Sequence, residues 1–177
     1  MLDIAQKYTD KLRLKFADIT YDLKYQFYTG GYSEEYKPSK DNWGNFEFVS
    51  INREGEILGH IYYSIDRSSN KVHGLCIVNF SDDKITFGRD VVQAIDDIFI
   101  KYKFRKLEYS VFVGNPIENT YDRLTKRYGG RIVGIKIKNS KLLDGELYDF
   151  KMYEIFREDY MLKQYKNKKG DNKNGTK

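Results

Sequence analysis

A nine-residue apolar run at 72–80, followed by a charged loop, an amphipathic stretch and a second apolar run, limits the folds open to this chain more than any other feature. The run reads Val-His-Gly-Leu-Cys-Ile-Val-Asn-Phe, nearly continuous in apolar side chains instead of alternating, the pattern of a strand covered on both faces and lying mid-sheet. Residues 81–86 form a charged loop. Across 88–104 the apolar residues Val91, Val92, Ile95, Ile98, Phe99 and Tyr102 recur at three- and four-residue spacing, the stripe of one helical face. Residues 106–113 read as a second strand, Asn115-Pro116 as the opening of a second helix, and Gly129-Gly130 as its end. Two strands joined by a helix make a βαβ unit, which predicts a parallel pair crossed over right-handedly.

The remaining segments read as antiparallel additions to that pair. Residues 46–51 alternate, 53–56 turn and 57–65 return, a hairpin that continues through a turn at 66–70 into the strand at 72. Beyond the βαβ unit, 131–138 alternates at Ile132, Ile135 and Ile137, 141–146 turns through Asp144-Gly145, and 147–156 is a last strand rich in Tyr and Phe. At the front, Leu2, Ala5, Leu12, Phe16, Ile19 and Leu23 predict one amphipathic helix or two short ones. Residues 25–43 then lose periodicity and gather Tyr25, Phe27, Tyr28, Tyr32, Tyr36 and Trp43 among Gly30-Gly31 and Pro38, a segment that either plugs the rim of the core or folds over a substrate. The expected class is α+β, a mixed and mainly antiparallel sheet with a central parallel pair and helices on both faces.

Charge narrows the function classes. The net charge of +5 is carried by residues 162–177, with six lysines against Asp171 alone, so bases and acids balance over the rest of the chain. A basic stripe on the folded body is not indicated, and nucleic acid becomes the weakest of the candidate partners. The segment 162–177 has too little apolar surface to offset its ordering entropy and reads as a disordered Lys-rich tail on a single domain spanning 1–161, with a helical and aromatic-rich segment at 1–45 and a core at 46–161. No apolar run approaches the ~18–20 residues of a membrane span, the first ten residues lack a secretory pattern, and the single cysteine, Cys76, suits a reducing compartment, so the expected location is cytoplasmic. Cys76 has apolar neighbours that raise its pKa and disfavour a nucleophilic role, and two histidines with one cysteine at no ligand spacing predict no metal site.

The order of these elements, with residues 57–61 (Ile-Leu-Gly-His-Ile), the strand-loop-helix at 72–104 and 127–134 (Arg-Tyr-Gly-Gly-Arg-Ile-Val-Gly), resembles the GNAT superfamily of acetyl-CoA-dependent N-acetyltransferases. The resemblance covers roughly 46–156 and rests on the ordering of several motifs, none highly specific alone; Gly130 stands where that family usually has Phe. It implies an acyl-CoA wedged where two parallel strands splay apart, with acetyl-CoA as co-substrate and an amine as acceptor. Pantetheine would then pair with the backbone of 75–80, at Ile77, Val78, Asn79 and Phe80. The pyrophosphate would rest on amides at the start of the following helix, where unpaired N–H groups and the dipole favour an anion; Phe87, Gly88 and Arg89 are the expected donors. Aligning the family's phosphate loop on Gly88 puts Ile85 at its first position and Asp90 at its last, so Lys84 or Arg89 must offset the Asp90 carboxylate.

Acetyl transfer needs a neutral amine, a polarised thioester and a proton for the departing thiolate. In the resembled family a tyrosine on the second helix gives that proton. Counting back from Gly129 puts Thr125 at that position, with Tyr121 one turn earlier on the same face and Asn115 matching the family's Asn at the strand end. Tyr121 is thus the candidate acid, or else packs on the sheet. Glu47, Glu108, His60 and His73 are the titratable candidates on strands, with Glu47 the candidate base. The competing reading is a catalytically inactive module of the same fold that binds CoA or a protein partner. Acceptor identity and oligomeric state stay open, a homodimer among the options.

Overall fold

In the computed structural model, described over residues 1–29, 36–39 and 41–171 with the side chains of 167–171 excepted, one sheet of seven strands organises the chain. The strands are β1 (Leu2–Ile4), β2 (Asn45–Ile51), β3 (Ile57–Asp66), β4 (Lys71–Asn79), β5 (Lys106–Phe112), β6 (Arg131–Lys141) and β7 (Leu147–Phe156). Their spatial order is β1-β2-β3-β4-β5-β7-β6, and every neighbouring pair is antiparallel except β4–β5. The α+β class and the mixed sheet therefore stand as read, with the parallel pair in mid-sheet.

The helices are α1 (Thr9–Ile19), α2 (Gln26–Thr29), α3 (Lys84–Phe99), α4 (Glu118–Arg127) and α5 (Arg157–Asp171). Helix α3 lays Phe87, Val91, Ala94, Ile95, Ile98 and Phe99 on one face of the sheet, against Ile61, Tyr63, Leu107, Tyr109 and Ile155, and Tyr121 and Leu124 of α4 pack on the same cluster. Each fully buried aliphatic side chain in it, Ile95, Ile98 or Leu107, contributes ~1.5–3 kcal/mol. A second cluster on the opposite face joins Leu12 of α1 and Ala5 to Val49, Ile51 and Ile57, with Phe16, Tyr36 and Phe80 at its margin.

The front of the chain differs from its periodicity. Residues 2–4 pair with β2 as a short edge strand, Ala5–Tyr8 form a 3-10 turn, and the helix proper begins only at Thr9. The unpaired edge of β2 draws those first residues into the sheet, a tertiary pull that helical spacing cannot register. At the other end, α5 runs to Asp171, into the segment read as a solvated tail; residues 172–177 lie outside the described residues, as do Gly30, Gly31 and Tyr32 of the aromatic segment.

Candidate active site

Strands β4 and β5 pair at two positions only, Lys71 with Lys106 and Val72 with Leu107, although β4 continues to Asn79 and β5 to Phe112. The cause lies on the other edge of β4. Its register against β3 jumps from His73 opposite Ser64 to Cys76 opposite Tyr62, so β4 spends one more residue than β3 over this interval. That extra residue is a β-bulge, which bends the strand that carries it. Gly74 sits in it at φ +64°, a left-handed conformation that a side chain resists. Meanwhile β5 is held along its full length by pairing with β7. The strands part, and the β5-facing edge of β4 from Leu75 onward has no ladder partner among the described residues. The expectation of a strand covered on both faces is corrected accordingly: within β4 only Val72 and Val78 are buried, and Cys76 and Ile77 are half-buried beside the gap.

Past the gap, Asn79 and Phe80 close the turn toward α3. The Asn79 Oδ1 accepts from the Ser81 amide at 3.0 Å, and the Phe80 amide donates to Leu58 O at 2.8 Å. Helix α3 begins at Lys84, four residues before the glycine expected to open it. Asp83 is its N-cap, with Oδ1 accepting from the Thr86 amide at 2.9 Å, and that bond is the first reason its carboxyl lies below the usual range. Phe87, Gly88 and Arg89 are thus already inside the helix: the Phe87 amide donates to Asp83 O at 3.2 Å, and its ring fills the space over Gly59, where a Cβ would lie 2.2 Å from it. A capping aspartate ahead of the apolar stripe outweighed glycine as a start signal. Lys84 and Arg89 are exposed on the first two turns, available to an anion. Asp90 points inward instead of toward the loop; its Oδ2 accepts from Ser50 Oγ at 2.6 Å and from the Met1 amine at 2.7 Å.

Tyr121, on α4, reaches the gap from the face covered by α3 and α4. Burial raises its phenol well above the usual value, and the neighbours that add to the shift are Cys76 on β4, Tyr28 on α2 and Tyr109 on β5. The ring lies 5.9 Å from that of Tyr109. No hydrogen bond among the described residues engages its hydroxyl. Thr125, one turn on, is closed off: its Oγ1 donates to Tyr121 O at 2.7 Å and meets the Tyr109 hydroxyl. Asn115 is buried before α4, its Oδ1 accepting from the Ile117 amide at 3.0 Å, so it shapes the helix entry.

No protein-family model and no curated protein matches the chain. Solved structures do. The spermidine N-acetyltransferase of Vibrio cholerae in complex with CoA and spermine superposes with a TM-score of 0.68 at 16% identity, over 91% of this chain and 97% of that one. A chimera of the Vibrio cholerae enzyme and hSSAT gives 0.66 at 16% identity over 91% and 99%, and a structure described as a probable acetyltransferase gives 0.63 at 13% over 89% and 92%. The fold is that of the GNAT acetyltransferases.

On this GNAT scaffold the opposite face of the sheet holds the other sequence candidates. Glu47, 3% exposed on β2, accepts from the Tyr36 hydroxyl at 2.7 Å and from His60 Nε2 at 2.9 Å through Oε1, and from the Ser39 amide at 2.8 Å through Oε2. Burial pushes its pKa up, but the bonds from His60, Ser39 and Tyr36 outweigh burial and hold it below the usual range. With both oxygens engaged it is a weak base and a strong anchor for residues 36–39. His60 is buried with Nδ1 unpartnered among the described residues, His73 is exposed, and Glu108 is bonded to Lys71 at 3.0 Å and Lys106 at 2.7 Å. Burial pushes the Cys76 thiol up to about 11, as its apolar neighbours predicted.

Two parts of the candidate site were missed from sequence. One is the bulge at Gly74, for which a glycine inside an apolar strand was the available signal. The other is α2, tied to the β6–β7 turn by Gln26: its Nε2 donates to Asp144 Oδ2 at 3.1 Å, and its Oε1 accepts from the Asp144 amide at 3.2 Å. Helix α2 thereby lies against the gap, with Tyr28 O 3.6 Å from Cys76 Sγ. No local signal announces a contact between residues 118 positions apart.

Proposed function

We propose that the protein is an N-acyltransferase that moves an acetyl group from acetyl-CoA to an amine. The observation that carries this reading is the gap between β4 and β5 with the Tyr121 phenol set beside it. The free edge of β4 at Ile77 and Val78 suits a pantetheine arm, which carries amide groups of its own to pair with it. Lys84 and Arg89 suit its diphosphate, provided the Asp83 carboxylate gives up the Thr86 amide.

In the reaction, the lone pair of the neutral amine attacks the thioester carbonyl carbon, the C–S bond breaks, and the thiolate takes the Tyr121 proton. The ammonium formed on the acceptor loses a proton to water, and a second proton exchange restores the phenol. Tyr121 suits the acid role because burial keeps it protonated at neutral pH and its hydroxyl is uncommitted among the described residues. Glu47 we assign to holding residues 36–39 instead of to proton abstraction.

The second reading, a binder without turnover, draws on Asp82 and Asp83, two carboxylates at the diphosphate end. Two measurements decide. Acetyl-CoA at a hundred times its Kd should stabilise the fold by ~2.7 kcal/mol, visible as a rise in Tm, and thiol should be released in the presence of a suitable amine. Stabilisation without release from a broad amine panel establishes the CoA binder; neither effect at millimolar acetyl-CoA overturns acetyl transfer and CoA binding alike.

A further inference from the structure

The face of the sheet opposite α3 and α4 carries an aromatic wall leading to the gap. In β5 the residues Leu107, Tyr109 and Val111 point into the α3-side core, which puts Ser110 and Phe112 on the other side, and in β7 the same alternation puts Tyr148, Phe150 and Met152 beside them. The Phe112 and Phe150 rings are 4.9 Å apart, and Phe27 of α2 stands edge-on to Tyr148 at 5.3 Å. Gly134 of β6, opposite Met152, adds no side chain, so the wall stays open there. Phe27, Tyr148, Phe150 and Met152 are only half-buried, and Tyr28 continues the surface to Cys76 at the gap.

The charges around this wall offer little to a polycation, because Glu154 and Glu108 are already matched by cations. Glu154 is bonded to Lys106 at 2.6 Å and to Arg131, and Glu108 to Lys71 and Lys106. Asp144 accepts from Gln26 and from the Tyr148 hydroxyl. Lys136, opposite Phe150 on β6, adds a cation beside the rings. A polyamine entering here meets Lys136 and two ion-paired carboxylates, with Asp144 alone of the three lacking a cationic partner among the described residues, whereas a flat apolar body finds ring edges and faces to pack on.

We propose that the acceptor is a monoamine carried on an aromatic body, held by the Phe27–Tyr148 and Phe112–Phe150 pairs with its nitrogen toward the gap, and not a polyamine. This rests on the acetyltransfer reading. The test is thiol release from acetyl-CoA with 2-phenylethylamine, tryptamine and spermidine as probes, alongside the acetyl-CoA-induced Tm shift. The expected result is a kcat/KM for the aromatic amines at least ten times that for spermidine. In Phe150→Ala, KM for the aromatic amines rises ~three- to ten-fold, the loss of one ring contact, with the acetyl-CoA-induced shift unchanged. Turnover of spermidine as efficient as that of the aromatic amines, or aromatic turnover indifferent to Phe150→Ala, overturns the acceptor class and leaves acetyl transfer standing. Absence of both release and Tm shift overturns acetyl transfer itself.

Discussion

Replacing Tyr121 with Phe separates a catalytic phenol from a packing ring in a single variant. The ring is partly buried against Tyr109, and Phe keeps its shape. The hydroxyl forms no hydrogen bond with any described residue, so its removal breaks no bond among them. The stability change should stay within ~0.5 kcal/mol, or ~1–2 °C in Tm. Loss of a positioned general acid is a different matter, worth ~10²–10⁴ in rate, or ~3–5 kcal/mol of barrier. Stopped-flow or steady-state thiol release should show kcat down by at least a hundred-fold with KM for acetyl-CoA nearly unchanged, because the proton is needed as the C–S bond breaks and not on binding. The pH profile supplies a second check. Burial raises the phenol above its ordinary value of 10.0, so the acid form persists through neutral and mildly alkaline pH, and this group should add no descending limb to kcat below ~10. A variant with kcat within two-fold of the parent would sink the assignment and return Tyr121 to the core.

Three other perturbations probe the remaining parts of the site. Asp83→Ser keeps an N-cap for α3 but removes the charge where a diphosphate would sit, and calorimetry should find acetyl-CoA bound ~three- to ten-fold more tightly, most clearly at low salt; an unchanged Kd means the diphosphate lies elsewhere. Gly74→Val forces a β-branched residue into a left-handed position, costing ~1–2 kcal/mol or more, and should abolish the acetyl-CoA-induced Tm shift by closing the bulge, so a stable variant that retains the shift would refute the bulge as the origin of the gap. Glu47→Gln leaves one of three donors without an acceptor and should cost ~1–3 kcal/mol. Because the Glu47 pKa is depressed in the fold, its contribution is complete above about 4.5 and is lost as pH falls through the folded value. The parent should therefore lose stability on acidification below that point more steeply than Glu47→Gln, and parallel curves would show that the carboxylate is not held ionised.

Much of this was written in local patterns. The three-strand meander, the amphipathic stripe of α3 and the closing Asp144-Gly145 hairpin follow from side-chain periodicity and turn chemistry, and periodicity survives in a sequence because each element must present one apolar face. Gly129 at φ +79° and Gly130, where a Cβ would meet Glu154 O at 2.5 Å, were visible as the stop after α4. Helix starts were less legible. Asp83 and Gly88 both offer a signal for α3, and only the capping bond of Asp83 to Thr86 decides between them.

From the sequence came the order of β2 to β7 with α3 and α4 and the βαβ unit, since each depends on residues close together along the chain, and the resemblance added the candidacy of Tyr121. What only the tertiary structure decided is where β4 leaves β5, that Asp90 turns inward to Ser50, that Glu47 is bound by three donors, and that Gln26 brings α2 to the β6–β7 turn. Each of these is a contact between distant segments, settled by burial and by the need of every buried polar group for a partner, conditions that arise only once the chain has closed on itself.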